Sequence, residues 1–280
     1  MNGIDCDRWF PFPLAGSSFK LPLGIKVLGE DEPLLVATES HARELQLKKV
    51  LAAESLGDYY QASPDSHSVQ TIACRYLRSK HPELPRIADD RHPLLSMAMQ
   101  IQEDLVLLAG DSPHRLLAGA VFFPSGWSVA DKIGQSLRQI HSVVPRFEQT
   151  LERQTDRLVT YLKVGRPVWR MNWGVRPSDR LDQSPKCSAA IAESAKQIDA
   201  NNAATRCFFR LERQTLSRMP DDGEILFTIH TRQWPLASLD KPQLKCLYQA
   251  LKTCPRETLV YKGIAAFHDP LIRFLEQMNT

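Results

Sequence analysis

The stretch Cys207–Leu216 (CFFRLERQTL) sets charged residues inside apolar text. Period-two alternation puts Phe208, Arg210, Glu212 and Gln214 on one face of a strand and Phe209, Leu211, Arg213 and Thr215 on the other. A carboxylate in such surroundings accepts a hydrogen bond from an ammonium, and nearby guanidinium groups polarise or pair an anion. The competing reading is an exposed cross-strand ladder of ion pairs, worth about 0.2–1 kcal/mol per pair. A second stretch, Pro167–Gly174 (PVWRMNWG), alternates Arg170 and Asn172 against Trp169, Met171 and Trp173. Its guanidinium suits fork pairing with a carboxylate, and its tryptophans suit core packing.

Two histidines sit where an imidazole can ligate a metal or move a proton. His141 ends a helical pattern over Val129–His141 that Ser128 caps, with Lys132 near its start. The plain alternative for His141 is a favourable contact with the helix macrodipole. His230 shares a strand face with Leu226 and Thr228, where a satisfied core histidine is the commoner outcome. Gln102-Glu103-Asp104 offers adjacent carboxylates for acid–base work, or simply a cap and a solvated face. The six cysteines are widely spaced and form no C-x-x-C, so a cysteine zinc site or a ligated iron–sulfur cluster is not expected. There is no G-x-G, G-x-x-x-x-G-K, H-E-x-x-H or G-x-S-x-G, and the S-x-x-K at Ser17–Lys20 lies in a Pro-rich leader.

The elements that must position these groups follow from periodicity. Residues 1–35 read as an extended arm. Thr38–Leu56, Ser68–Ser79 and Leu94–Gln102 carry helical spacing. Asp104–Ala109 and Arg115–Phe123 flank Gly110-Asp111-Ser112-Pro113 as a buried hairpin. The Val129–His141 and Pro145–Lys163 helices come next, then the Pro167–Gly174 strand and a polar insertion over 176–204 with one helix. Strands Cys207–Leu216 and Ile225–Gln233 are joined by a turn at Met219–Gly223, and helices Lys241–Cys254 and Pro270–Met278 close the chain. Two strands, a helical crossover and three strands are the chain order of a PAS-type sheet. The expected class is α+β: a PAS-like antiparallel sheet with crossover helices and helical wrapping. The expected division is an arm and helices over 1–103, a core over 104–235 and C-terminal helices over 236–280.

The chain has 280 residues, of which 43% are hydrophobic and 24% charged, enough for a sizeable core and incompatible with wholesale disorder. The longest apolar run, Leu116–Pro124, has nine residues, whereas a membrane helix needs roughly 20. The N-terminus lacks the apolar stretch of a secretory signal, so a cytoplasmic protein is expected. A net charge of +3 argues against a dedicated nucleic-acid binder. Charge is uneven, however: residues 138–218 hold 12 Arg and 3 Lys against 8 Asp and Glu. Such a region attracts an anionic ligand or an acidic partner.

Several strings occur in a specific order: Gln102-Glu103-Asp104-Leu105, Phe123-Pro124-Ser125-Gly126-Trp127, Ala130-Asp131-Lys132-Ile133-Gly134 and Ile140-His141. Pro145, Arg170-Met171-Asn172-Trp173, Glu212-Arg213-Gln214-Thr215-Leu216 and Phe227-Thr228-Ile229-His230-Thr231 follow. Over roughly residues 22–278 the set resembles the DUF3445 family, the family of the α subunit of haem-dependent oxidative N-demethylase. The resemblance implies a PAS-like fold holding haem b and oxygen-dependent N-demethylation of a small secondary amine such as dimethylamine. It further implies electrons from partner subunits carrying FMN and a 2Fe–2S cluster, with tetrahydrofolate as formaldehyde acceptor. On this resemblance His141 is the axial iron ligand, with His230 second, and Arg170, Lys132 and Arg210 are cofactor-binding. Glu212 and Arg213 are then catalytic, the first orienting the amine. The family segment I-H-x-P-V-P reads Ile140-His141-Ser142-Val143-Val144-Pro145 here, which keeps the histidine and loses the inner proline. A haem sensor without turnover, or an interaction protein that has lost the haem, are the alternatives.

Overall fold

The computed structural model describes residues 18–19, 23–87, 91–145, 152–221 and 223–279. Seven strands form one sheet: β1 (Lys26–Val27), β2 (Tyr60–Ala62), β3 (Asp104–Leu108), β4 (Leu116–Ala120), β5 (Val168–Arg176), β6 (Phe208–Arg218) and β7 (Ile225–Pro235). Their order is β1-β5-β6-β7-β3-β4-β2, and every neighbouring pair is antiparallel. Ten helices accompany them among the described residues. The first five are α1 (His41–Tyr59), α2 (His67–Lys80), α3 (Pro93–Ala98), α4 (Leu137–His141) and α5 (Glu152–Thr160). The rest are α6 (Ser188–Lys196), α7 (Ala203–Arg206), α8 (Lys241–Lys252), α9 (Arg256–Tyr261) and α10 (His268–Asn279). This is an α+β architecture.

Strand alternation divides the sheet into two unlike faces. One face is largely apolar where helices cover it: Met171, Trp173, Val175, Phe209 and Leu211 meet α8 and α10. Further along that face Leu105, Leu107, Ala118, Ala120 and Leu226 meet α1, α2 and α3. The opposite face is split. Val106, Val168, Leu216 and Phe227 pack under Val129, Leu137, Ile140 and Val159 of the crossover. Beyond them the same face turns polar, because Asn172, Glu212 and Thr231 lie side by side in register, with Arg170 next to Gln214 and Arg210 next to Gln233. Gly119 admits the crossover to this face: a Cβ there would stand 2.6 Å from Val129 Cγ2. Any side chain would push the crossover off the sheet.

The crossover differs from its sequence reading. Val129–His141 is helical only from Leu137, and Ser136, not Ser128, forms the capping box with Gln139. Gly134 breaks the helix at φ +75°, and its N–H donates to Leu116 O while Leu116 N donates to Gln135 O. The segment therefore runs along β4 before it coils. Ser128 instead donates from Oγ to Asp58 O at 3.0 Å. Of the expected Pro145–Lys163 helix, α5 accounts for Glu152–Thr160, while Phe147 and Leu151 lie outside the described residues. The Leu94–Gln102 helix stops at Ala98, the 176–204 insertion holds the extra turn α7, and α9 was not expected. Strands β1 and β2 come from the part read as arm and helices, and they edge the sheet.

Gln102-Glu103-Asp104 is neither solvated nor a cap. Lys48 of α1 and Asp104 are both fully buried, 3.4 Å apart. Lys48 Nζ also donates to Ala98 O, Ile101 O and Glu103 O at 3.2, 3.1 and 2.8 Å. The Asp104 carboxylate accepts from Phe122 N and Phe123 N at 3.0 and 2.8 Å. Gln102 bonds Glu44 and Thr38, so the tripeptide ties α1 to the strands.

Candidate functional site

The polar half of the split face centres on Glu212, which is only 8% exposed. Ser125 Oγ donates to its Oε1 at 2.6 Å, and Asn172 Nδ2 and Gln214 Nε2 donate to Oε2 at 3.2 and 2.9 Å. Arg210 Nε stands 3.9 Å from Oε1. Burial alone would raise this carboxyl, but Arg210, the Ser125 and Asn172 donors and Arg176 together hold it below its ordinary value. Glu212 is therefore an ionised, preoriented acceptor inside the protein.

Arg210 serves that carboxylate and the backbone around it. Its Nη2 donates to Phe123 O at 2.7 Å and Pro124 O at 3.2 Å, and its Nη1 to Leu181 O at 3.0 Å. With its guanidinium spent on carbonyls and sealed from solvent, Arg210 is placed to hold Glu212 and Ser125 rather than to receive a cofactor. Arg213 does not join the site. It points through the opposite face and donates to Leu34 O and Pro33 O at 3.1 and 2.8 Å, pinning the segment before α1. His230 is on that opposite face as well, 3.3 Å from Glu103 in the protein interior.

His141 closes α4, half-buried, with Nδ1 2.8 Å from Leu137 O. A carbonyl only accepts, so Nδ1 carries the proton and Nε2 is the basic nitrogen of the neutral ring. Burial, then the positive charges of Arg170 and Lys132, lower its pKa, so the ring is neutral at pH 7. Arg170 lies in the fields of both His141 and Glu212. Its guanidinium makes no hydrogen bond among the described residues, and its Nε is sealed from solvent.

Three further residues complete the surroundings. Arg176 folds back over Gly174, its Nε 4.0 Å from where a Cβ would stand, and donates from Nη1 to Lys262 O at 2.9 Å. Buried Lys262 donates to Trp173 O at 2.6 Å along the outer edge of β5, where β1 pairs only with Val168 and Trp169. Tyr261, half exposed, lies in the fields of Glu212, Arg176 and Arg170. Extending the β5 alternation one step past Gly174 reaches Arg176, but nothing local to the sequence marks Tyr261 or Lys262. A family model described as haem-dependent oxidative N-demethylase, alpha subunit-like, matches residues 41–272.

The chain belongs to that family. The match spans every residue of the site just described, from Ser125 to Lys262. The donor set of this N-demethylase α-subunit-like chain fits a haem. A neutral imidazole with its second nitrogen fixed on a carbonyl is the usual state of a metal-ligating histidine. Arg170 has a buried guanidinium nitrogen unpartnered among the described residues, which suits an anionic propionate.

Acid sensitivity follows from the two buried carboxylates. Both Glu103 and Glu212 are held below their ordinary value despite burial, Glu103 chiefly by His230. Each therefore adds stability that is fully present above its unfolded value of 4.5 and lost as pH falls through the lower folded value. Urea denaturation is expected to show stability falling already below about pH 6.5, where the unfolded chain protonates His141 more readily than the fold does, with a further decline below about pH 5.5 from the two carboxylates. Glu212→Gln should flatten that decline; an unchanged slope would show the carboxylate is not held low.

Proposed function

We propose that this chain is the haem-carrying subunit of an oxygen-dependent amine N-demethylase, acting on a small secondary amine of the dimethylamine type. The observation that carries the reading is Glu212: a hydrogen-bonded, ionised carboxylate on the sheet face that the helix of the carbonyl-oriented His141 covers, with Arg170 on the same face. In chain order, the five strands from Asp104 to Pro235 sit side by side as third, fourth, fifth, first and second. That order favours a PAS-like core over 104–235, wrapped by 1–103 and 236–280.

Haem bound against this face supplies an iron that activates O2 once reduced. His141 would hold the iron through Nε2 with its Nδ1–H kept on Leu137 O, and Arg170 and Lys132 would pair the propionates. Glu212 accepts one N–H of the substrate ammonium through Oε1 and so fixes the N-methyl carbon. Arg210 and Ser125 keep that carboxylate from turning. Over the cycle the methyl leaves as formaldehyde, O2 gives one oxygen to it and one to water, and two electrons and two protons are taken up. The electrons come from FMN and 2Fe–2S partner subunits, tetrahydrofolate accepts the formaldehyde, and the setting is cytoplasmic.

An absorption spectrum of the haem-supplemented protein tests this. A Soret band that dimethylamine perturbs is expected. His141→Ala is expected to abolish the ligated spectrum. A band indifferent to amines supports a haem sensor instead, and no band at all ends the haem reading.

A further inference from the structure

Three structural facts bear on which amine the site accepts. A carboxylate offers about four lone-pair positions. On Glu212 both positions of Oε2 are taken by Asn172 and Gln214, and one position of Oε1 by Ser125. A single acceptor position is left, whereas a secondary ammonium carries two N–H donors. Dimethylammonium would therefore bury one donor unanswered, which is costly.

The charge around Glu212 is also unbalanced. Arg170, Arg176, Arg210 and Lys262 act on it or on one another there, and among the described residues Glu212 is the carboxylate that acts most on Arg170, Arg176 and Lys262. Arg210 is matched by Glu212 and by carbonyls. Arg170 lies toward His141. Arg176, on the Glu212 face of β5 with Nε 4.0 Å from where a Gly174 Cβ would stand, keeps Nε and Nη2 without a hydrogen bond among the described residues. That edge of the guanidinium is the one that pairs a carboxylate through two parallel bonds. The remaining nitrogen is anchored on Lys262 O, and Gly263 approaches so closely that a Cβ there would stand 3.0 Å from Nη1. The fork is thus held in place before any ligand arrives.

We propose that the substrate is an N-alkylated amino acid, its ammonium on Glu212 and its carboxylate on the Nε–Nη2 edge of Arg176. Such a zwitterion answers both imbalances. Its carboxylate supplies the missing negative charge, and its second N–H faces its own carboxylate instead of an empty wall. The amine end rests on the Glu212 reading above; the carboxylate end does not.

Isothermal titration of the haem-loaded full chain, without reductase or turnover, separates the possibilities. The probes are N-methylglycine, N-methylglycinamide and dimethylamine. N-methylglycine is expected to bind about tenfold or more tighter than either other probe. In Arg176→Gln the ratio of N-methylglycine to dimethylamine affinity is expected to fall by about the same factor. Equal affinity for N-methylglycine and its amide overturns the proposal, and that comparison needs no variant to fold. An Arg176→Gln protein that loses haem with the ratio intact also overturns it, assigning the fork to a propionate. If Glu212→Gln leaves N-methylglycine binding intact while Arg176→Gln weakens it, the carboxylate site stands and the amine reading falls. No heat from any probe overturns both.

Discussion

Lys48→Met is expected to destabilise the protein by about 3–5 kcal/mol, the cost of leaving a buried charge without its partner. Methionine fills the same volume but strands Asp104, fully enclosed at the start of β3, and frees three carbonyls that Lys48 Nζ now serves. Burial already pushes the Asp104 carboxyl up and the Lys48 ammonium down, so each ion depends on the other and on the backbone donors around it. Chemical denaturation measures the loss directly. Adding Asp104→Asn removes the stranded charge and should return about 1–2 kcal/mol. A single-mutant loss below about 1 kcal/mol would show that the pair is dispensable.

The same substitution should reach the site, because residues 122–125 serve both charge pairs. Phe122 and Phe123 give their amides to Asp104. Phe123 and Pro124 give their carbonyls to Arg210, and Ser125 gives its hydroxyl to Glu212. A shift in this strand end moves the acceptor that the proposed substrate needs.

Glu212→Gln is the second large effect. The amide keeps the shape but withdraws the charge, and its NH2 faces donors from Ser125 or from Asn172 and Gln214. Binding of the amine is expected to weaken by about 1.5–3 kcal/mol, roughly 10- to 150-fold, with haem binding retained. Titration of the amine against the Soret band reads the change. Arg210 then loses its counter-ion while keeping its carbonyls, so a modest loss of stability should accompany the loss of affinity.

Much of this arrangement was legible in the sequence, for a steric reason. Side chains must alternate along a strand, so the separation of Arg210, Glu212 and Gln214 from Arg213, and of Arg170 and Asn172 from the tryptophans, follows from order alone. Alternation does not say which face a distant helix covers. For that reason Arg213 and His230 could be grouped with the site by type, yet they sit on the helix-covered face. The Val129–His141 pattern misleads because Val129, Ile133, Leu137 and Ile140 do share one core, reached by a turn at Gly134 instead of one continuous helix. Glu103 and Asp104 look like solvated charges because their partners Lys48 and His230 are far away in the chain. Tyr261 and Lys262 reach the site only through tertiary packing of the C-terminal helices.

The Lys262 contact on β5 has one more consequence. From Arg170 onward the outer edge of β5 has no neighbouring strand among the described residues, and such an edge is a template for a strand from another molecule. Lys262 takes up the Trp173 carbonyl from outside and sets a cation against the edge. Lys262→Met would bare that carbonyl while keeping the C-terminal helix, and is expected to promote self-association through edge-to-edge pairing, read by size-exclusion chromatography. The groups that surround Glu212 thus also keep the sheet from growing.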